Sequence, residues 1–220
     1  MMVKNTGPTA AIAGITPGVQ GQGLWTGRRQ LFVRFAGEAE TAVLYTSEML
    51  AKQVDRAAAN TALHSIALAG RDPLGSAPLI IETFERWKST LPVMLDCDGQ
   101  RPDDVPGVLG ALTVLQVTFD FGDAPALAER ALASLGQAAG AKKEHVLVLA
   151  PRDATSDGQI LRLVEQAHAA LPGVKLVLHP SPSGEKSPLD RRYGTLMDQA
   201  MAIHRDVALI MRIPSPVGVR

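Results

Sequence analysis

Cysteine is almost absent from this chain: Cys97 is the only one in 220 residues. That excludes an intramolecular disulfide and any metal or iron–sulfur site built from the cysteines of one chain. Charge of one sign is not in excess either, with 22 Lys plus Arg against 22 Asp plus Glu. Such a chain has no overall field to draw it to nucleic acid or an anionic membrane. Long apolar runs are missing too. No stretch approaches the roughly 20 residues of a transmembrane helix, and the start, MMVKNTGPTAAIAG, lacks the apolar core of a signal peptide. The expectation is a cytoplasmic protein with no membrane insertion and no nucleic-acid partner. Internal repeats and low-complexity segments are also lacking.

What is present is ordinary globular material, 46% hydrophobic and 20% charged, long enough to bury a substantial core. We read one domain over 1–220, with 1–17 as a loosely ordered N-terminal segment. Short runs rich in Val, Ile and Leu predict strands at Gln30–Phe35, Ser65–Ala69, Val93–Asp96, Val114–Phe119, His145–Ala150, Lys175–His179 and Val207–Arg212. Because these runs do not alternate with polar residues, they suit strands buried on both faces of a parallel sheet. Ser47 and Glu48 open a helix through Met49, Leu50, Val54 and Ala58. Asp157 is placed as the N-cap of a helix whose apolar face carries Ile160, Leu163, Val164, Ala167 and Leu171. Leu196, Ala200 and Ile203 mark one more helix before the last strand. The repeated strand–helix order gives an α/β fold with a mostly parallel sheet, as a barrel, a partial barrel or an open sheet.

The segment GVQGQGLWTGRRQLFVRFAG, Gly18 to Gly37, resembles the opening of the 7-carboxy-7-deazaguanine synthases. That family of radical S-adenosylmethionine enzymes starts with S-x-Q-G-E-G-x-x-x-G-R and a strand ending R-x-A-G-C. IALAGRDPLG, Ile66 to Gly75, is similar to its T-G-G-E-P-L segment, and VMLDCDGQ, Val93 to Gln100, to its strand ending E-T-N-G-T. LVLHP, Leu176 to Pro180, and the terminal DVALIMRIPSPVGVR continue the likeness in order along the chain. The resemblance implies a partial or compact (β/α) barrel of the radical-SAM type and a homodimer.

The departures from the pattern are systematic. The family's C-x-x-x-C-x-x-C falls on Glu38, Ala42 and Tyr45, none of which supplies a thiolate to a four-iron cluster. Its G-G-E-P becomes Gly70-Arg71-Asp72-Pro73, with a long Arg where a glycine admits the methionine moiety, which argues against S-adenosylmethionine. The E-T-N-G turn becomes Asp96-Cys97-Asp98-Gly99. Gln20 and Arg28 keep the pattern, Gln22 replaces a glutamate, and Q-T-H-K becomes Arg212-Ile213-Pro214-Ser215.

Strand C-terminal ends carry Arg71, Asp72, Asp96, Asp98, Asp120, Asp123, Arg152, Asp153, His179 and Arg212, which a parallel α/β fold can gather in one pocket. One reading puts a divalent cation on Asp96, Asp98 and Asp120; the other has these residues simply solvating strand ends. Cys97 reads as a small core residue rather than a nucleophile, because flanking aspartates disfavour its thiolate. The Gly18–Gly27 loop precedes a strand rather than a helix, so it is no phosphate cradle. His64, His145, His168 and His204 read as solvated or structural.

The sequence therefore leads to a non-catalytic, cluster-free and cofactor-free protein-binding or structural subunit that self-associates or pairs with another protein. The alternative is a small-molecule binder or repurposed enzyme using the old pocket. Its ligand would be anionic or purine- or pterin-like, held by Gln20, Gln22, Arg28, Gly70, Asp72, Asp96, Asp98 and His179. The segment Thr41–Ala58, read as helical, is where a new surface or a plug is expected.

Overall fold

The Val-, Ile- and Leu-rich runs form the middle of one nine-stranded sheet in the computed structural model, which describes residues 7–122, 126–180 and 191–211. In chain order the strands are β1 Thr9–Val19, β2 Arg29–Phe35, β3 Val43–Thr46, β4 Ser65–Gly70, β5 Val93–Cys97, β6 Val114–Asp120, β7 Glu144–Ala150, β8 Lys175–Leu178 and β9 Val207–Leu209. The helices are α1 Ser47–Ala59, α2 Ala77–Phe84, α3 Val105–Val108, α4 Ala126–Gly140, α5 Asp157–Ala170 and α6 Arg191–Ile203. The sheet order is β3-β1-β2-β4-β5-β6-β7-β8-β9. From β2 to β9 every pairing is parallel, and only β1 runs antiparallel, to β2 and β3.

That order explains the layering. Each crossover after β4 steps to the next neighbour in the same direction, and right-handed crossovers then place all their helices on one face. Leu31, Val33, Ile66, Leu68, Leu95, Leu115, Leu147 and Leu176 point to that face and pack with Leu50, Val54, Leu79, Ile80, Leu135, Ile160, Leu163 and Leu196 of the helices. The alternate residues, Ala67, Met94, Val114, Val146, Val148 and Val177, form a second apolar cluster on the opposite face. Among the described residues, the partly buried apolar side chains packed against it are Leu24, Trp25, Phe32 and Ile210.

Several expectations change. The sheet is not closed: among the described residues β3 and β9 are its edges, so the strand pairing gives an open, mostly parallel sheet. The segment read as loosely ordered contains β1, paired on both sides. Its sequence, TAAIAGITPGV, is poor in the large β-branched and aromatic residues that announce a strand, and only Ala10 and Ile12 are buried in it. Thr41–Ala58 is not one helix, because VLYT forms β3 before α1 begins at Ser47, capped by the Thr46 hydroxyl accepting from Met49 N–H. The N-cap of α5 is Ser156, which closes a capping box with Gln159, while Asp157 pairs with Arg192. Asp123 and the terminal Arg212-Ile213-Pro214-Ser215 lie outside the described residues, while the preceding part of that segment forms β9.

Candidate functional site

The face that carries no helix among the described residues is covered by the β1–β2 loop, Gln20 to Arg28. Two backbone bonds close the loop, Gln20 N–H to Arg28 C=O at 2.9 Å and Gly27 N–H to Gln20 C=O at 2.8 Å. Leu24 and Trp25 pack onto the inner apolar cluster, and the Trp25 ring meets His64 edge-on at 5.1 Å. Gly23 sits at φ +77°, with the Gln116 carboxamide directly against its Cα: a β-carbon there would lie 1.7 Å from Oε1. Only glycine allows this approach.

Beneath the loop lies a small polar network. Gln22 Nε2 donates to Asp96 Oδ2 at 3.1 Å and to Thr118 Oγ1 at 3.2 Å. Thr118 Oγ1 donates to Asp96 Oδ1 at 2.9 Å. Burial pushes the Asp96 carboxyl above the usual carboxylate range, and the Thr118 and Gln22 hydrogen bonds hold it back in part. Gln116 adds a weaker pull, although its amide, fully buried, makes no hydrogen bond of ordinary geometry. Gln20 is buried beside it, its Oε1 accepting from Gly21 N–H and its Nε2 3.9 Å from the Met94 sulfur. Further along the sheet, Gln30 Nε2 donates to Ser65 Oγ at 2.8 Å, and His64 Nδ1 meets the same hydroxyl at 2.9 Å.

A second feature lies at the C-terminal rim of β2 and β4, a cavity of about 920 Å³. Charged side chains of both signs line it: Arg34, Arg71 and Arg101 with Glu38, Glu40 and Asp72. Arg34 pairs with Glu40 at 3.1 Å, and Glu40 also accepts from Gly37 N–H. Asp72 is held in the left-handed region, φ 43°, where its carboxylate accepts from Gly75 N–H and takes a two-pronged grip from Arg101 Nε and Nη2, both at 2.8 Å. Arg71 runs past Gly37 and lines the cavity without filling it.

The structure thus brings Gln20, Gln22 and Asp96 together under the loop, and Gly70 and Asp72 together with Glu38 at the rim. It does not gather the rest. The Arg28 side chain is exposed, and Asp98 turns back on its own loop to accept from Gln100 N–H. Asp120 is gripped by Arg152 through two 2.8 Å bonds, which holds its carboxyl below the usual range. Asp96, Asp98 and Asp120 form no metal-holding group, and among the described residues no set of three or more His, Cys, Asp or Glu does. His179 follows β8 and bonds through Nδ1 to Ile210 C=O at 3.0 Å. Of the three positions matched to cluster cysteines, Glu38 lines the rim cavity, Ala42 precedes β3, and Tyr45 packs against the helix-side core. Cys97 is buried on that same helix side, and its thiol is pushed up to about 12, first by burial and then by Asp96, Asp98 and Asp72.

Sequence reasoning missed Gln116 and Thr118, whose signal was period two along β6, where Gln116, Thr118 and Asp120 share the face of Asp96. It also missed Arg34, Glu40 and Arg101, which are ordinary surface residues until the fold places them on one rim.

An open, mostly parallel α/β sheet with one helix layer and a polar network under a capping loop defines the class. The sequence matches no family model and no curated protein. Its fold is similar to the crystal structure of QueE from Escherichia coli, with a TM-score of 0.56, 14% identity, and coverage of 94% of this chain and 95% of that one. At that identity the likeness is one of fold: the chain has a QueE-like α/β fold, and QueE is a 7-carboxy-7-deazaguanine synthase. No helix among the described residues is long and apolar enough to cross a membrane.

Proposed function

We propose that this chain is a non-catalytic relative of the 7-carboxy-7-deazaguanine synthases, a radical-SAM-like scaffold that works as a protein-binding or self-associating subunit. One observation carries the reading. The stretch where the family places its cysteine motif, Glu38 to Tyr45, runs from the rim into the edge strand β3 here, and that strand presents Val43 and Leu44 at 57% and 63% exposure. Met49, at 47%, extends the apolar surface onto α1. An edge strand with free backbone groups and large exposed aliphatics is a template for pairing with another strand.

The donor set does not suit an iron–sulfur cluster. Ala42 has no ligating atom, Glu38 and Tyr45 offer hard oxygen donors, and the Cys97 thiol is buried on the helix side of β5. The helix-free face under a single loop fits a partial barrel of the radical-SAM type, which is the form we assign to the scaffold.

Light scattering on the purified chain tests the association. Wild type is expected to self-associate or to elute with a partner from its native source, and Leu44→Lys to be monomeric with an unchanged circular dichroism spectrum. Anaerobic iron–sulfur reconstitution tests the rest. Stoichiometric iron with a cluster absorbance band would sink the non-catalytic reading.

The rim cavity favours a second reading, a small-molecule binder. Its volume is that of a ligand pocket, and Arg71 lines it as an exposed cation suited to an anionic group. Loss of binding to an anionic ligand library in Arg71→Ala, without loss of assembly, would favour this reading over the first.

A further inference from the structure

The backbone of β3 decides what can pair with it. Beyond β2, Ala36 N–H donates to Ala11 C=O at 2.9 Å, so the backbone of Ala11 is turned towards β2. Successive residues of an antiparallel strand offer their N–H and C=O to opposite neighbours. Ala10 and Ile12 therefore turn to β3, where they lie opposite Tyr45 and Val43. Leu44, opposite Ala11, directs its own N–H and C=O away from the sheet, where no described strand receives them.

The side chains follow the same alternation. Tyr45 packs on the helix-side core with Ala10 and Ile12, so Val43 shares that face and Leu44 projects from the other, beside the exposed Ala11. Edge strands are ordinarily blunted by lysine, proline or a bulge. β3, Val-Leu-Tyr-Thr, has neither residue and pairs with β1 without a register shift.

We propose that β3 pairs with β3 of a second copy of this chain, antiparallel about a two-fold axis at Leu44, so that two sheets join into one. The inference rests on the association proposed above and names its partner. A two-fold axis through an antiparallel strand pair stands perpendicular to the sheet and keeps each side chain on its own face. One residue must then lie opposite its own copy.

Three residues could take that place. Centred on Tyr45, the pairing would run into α1 at Ser47. Centred on Val43, it would set Leu44 against Ala42 and run into the turn that Glu40 N–H closes on Gly37 C=O. Centred on Leu44, it stays within residues 42–46. Leu44 then exchanges both backbone hydrogen bonds with its copy, and each Thr46 N–H reaches Ala42 C=O of the second copy. Leu44 packs on Leu44, and Val43 on Tyr45 at both ends.

Charge agrees with this sense of pairing. No side chain of β3 is charged; the acidic turn with Glu38 and Glu40 precedes it, and α1 follows with its positive amino end, where Lys52 neutralises Glu48. Antiparallel pairing brings each acidic turn towards the amino end of α1 in the other copy, whereas parallel pairing would set acid against acid. Four residues and a helix turn make a small contact, so the dimer is expected to be transient and micromolar.

The test is a pair of cysteine variants in the full-length chain, oxidised with glutathione disulfide. In Leu44→Cys the two Cα atoms at the axis would be about 5.5 Å apart, within disulfide range. In Val43→Cys they would be two positions apart along the strands, about 8 Å, and out of range. A covalent dimer is expected from Leu44→Cys, and none from Val43→Cys or from wild type, whose only thiol is the buried Cys97. Both substituted side chains are exposed, so the variants should keep the wild-type circular dichroism spectrum. In wild type, exchange of the Leu44 amide hydrogen should slow at least tenfold between micromolar and millimolar protein, while the Val43 and Tyr45 amides are slow at both. Equal cross-linking of the two variants, or a Leu44 amide indifferent to concentration, would overturn the pairing. If light scattering still shows self-association in that case, the association stands and only this interface falls. A chain that stays monomeric and binds a different protein through β3 would overturn the inference in favour of that partner.

Discussion

Gln22 donates one amide hydrogen to Asp96 across 3.1 Å, tying the loop over the helix-free face to the end of β5. The tie holds a carboxylate that burial makes reluctant to ionise. Its folded-state pKa lies above the unfolded value near 4, so between the two the folded state binds the extra proton. Stability therefore falls as pH rises from about 4 through the folded pKa, and below the unfolded value the group costs nothing. Asp96→Asn cannot ionise and should lose this slope, with a urea midpoint at pH 7 above that of wild type. A lower midpoint for Asp96→Asn at pH 7 would mean that the Gln22 and Thr118 bonds outweigh burial.

Gly23 and Gly27 separate two costs in the same loop. Both have positive φ, +77° and +80°, but a β-carbon at Gly23 strikes Gln116 while one at Gly27 meets nothing within 4 Å. Gly27→Ala should cost only the left-handed strain, about 1–2 kcal/mol. Gly23→Ala adds overpacking of about 1–3 kcal/mol. In a double-mutant cycle, Gln116→Ala should recover much of the Gly23→Ala loss and none of the Gly27→Ala loss, read by urea denaturation.

The parallel part of the sheet was legible because strands buried on both faces need unbroken Val, Ile and Leu runs, and β2 and β4 to β8 match their expected spans within a residue at each end. β1 and β3 were not, for a physical reason. They are antiparallel, at or next to the edge, and built from Ala, Gly and Thr or left exposed, so no apolar periodicity marks them. The site divides similarly. Gln22 and Asp96 could be singled out by resemblance, but their contact spans 74 residues and depends on the course of the loop. For Cys97 the direction of the pKa was readable from the neighbouring aspartates, while its main cause, burial on the helix face, needed the fold.

Cys97 should be inert in the native protein. At pH 8 a thiol pushed up to about 12 has roughly a thousandfold less thiolate than an ordinary cysteine. A disulfide reagent added at pH 8 should find no reactive thiol until denaturant is present, and then one per chain. Rapid labelling of the folded chain would show that β5 opens locally and would remove Cys97 from the core.

Asp72 and Arg101 give the last expectation, which concerns the rim of the cavity. Their ion pair is exposed on both sides, 38% at Asp72 and 46% at Arg101, so solvent screening limits it to about 0–1 kcal/mol. Arg101→Ala should cost no more than that, and the cost should shrink in molar salt. The Asp72 backbone is the larger stake. Asp and Asn tolerate the left-handed region through local hydrogen bonding, here to Gly75 N–H, whereas Ala does not. Asp72→Asn keeps the turn and should resemble Arg101→Ala. Asp72→Ala loses the turn bond and bears the strain, for about 2–3 kcal/mol in urea denaturation. Equal losses in Asp72→Ala and Arg101→Ala would mean that the ion pair, and not the turn, holds the rim in place.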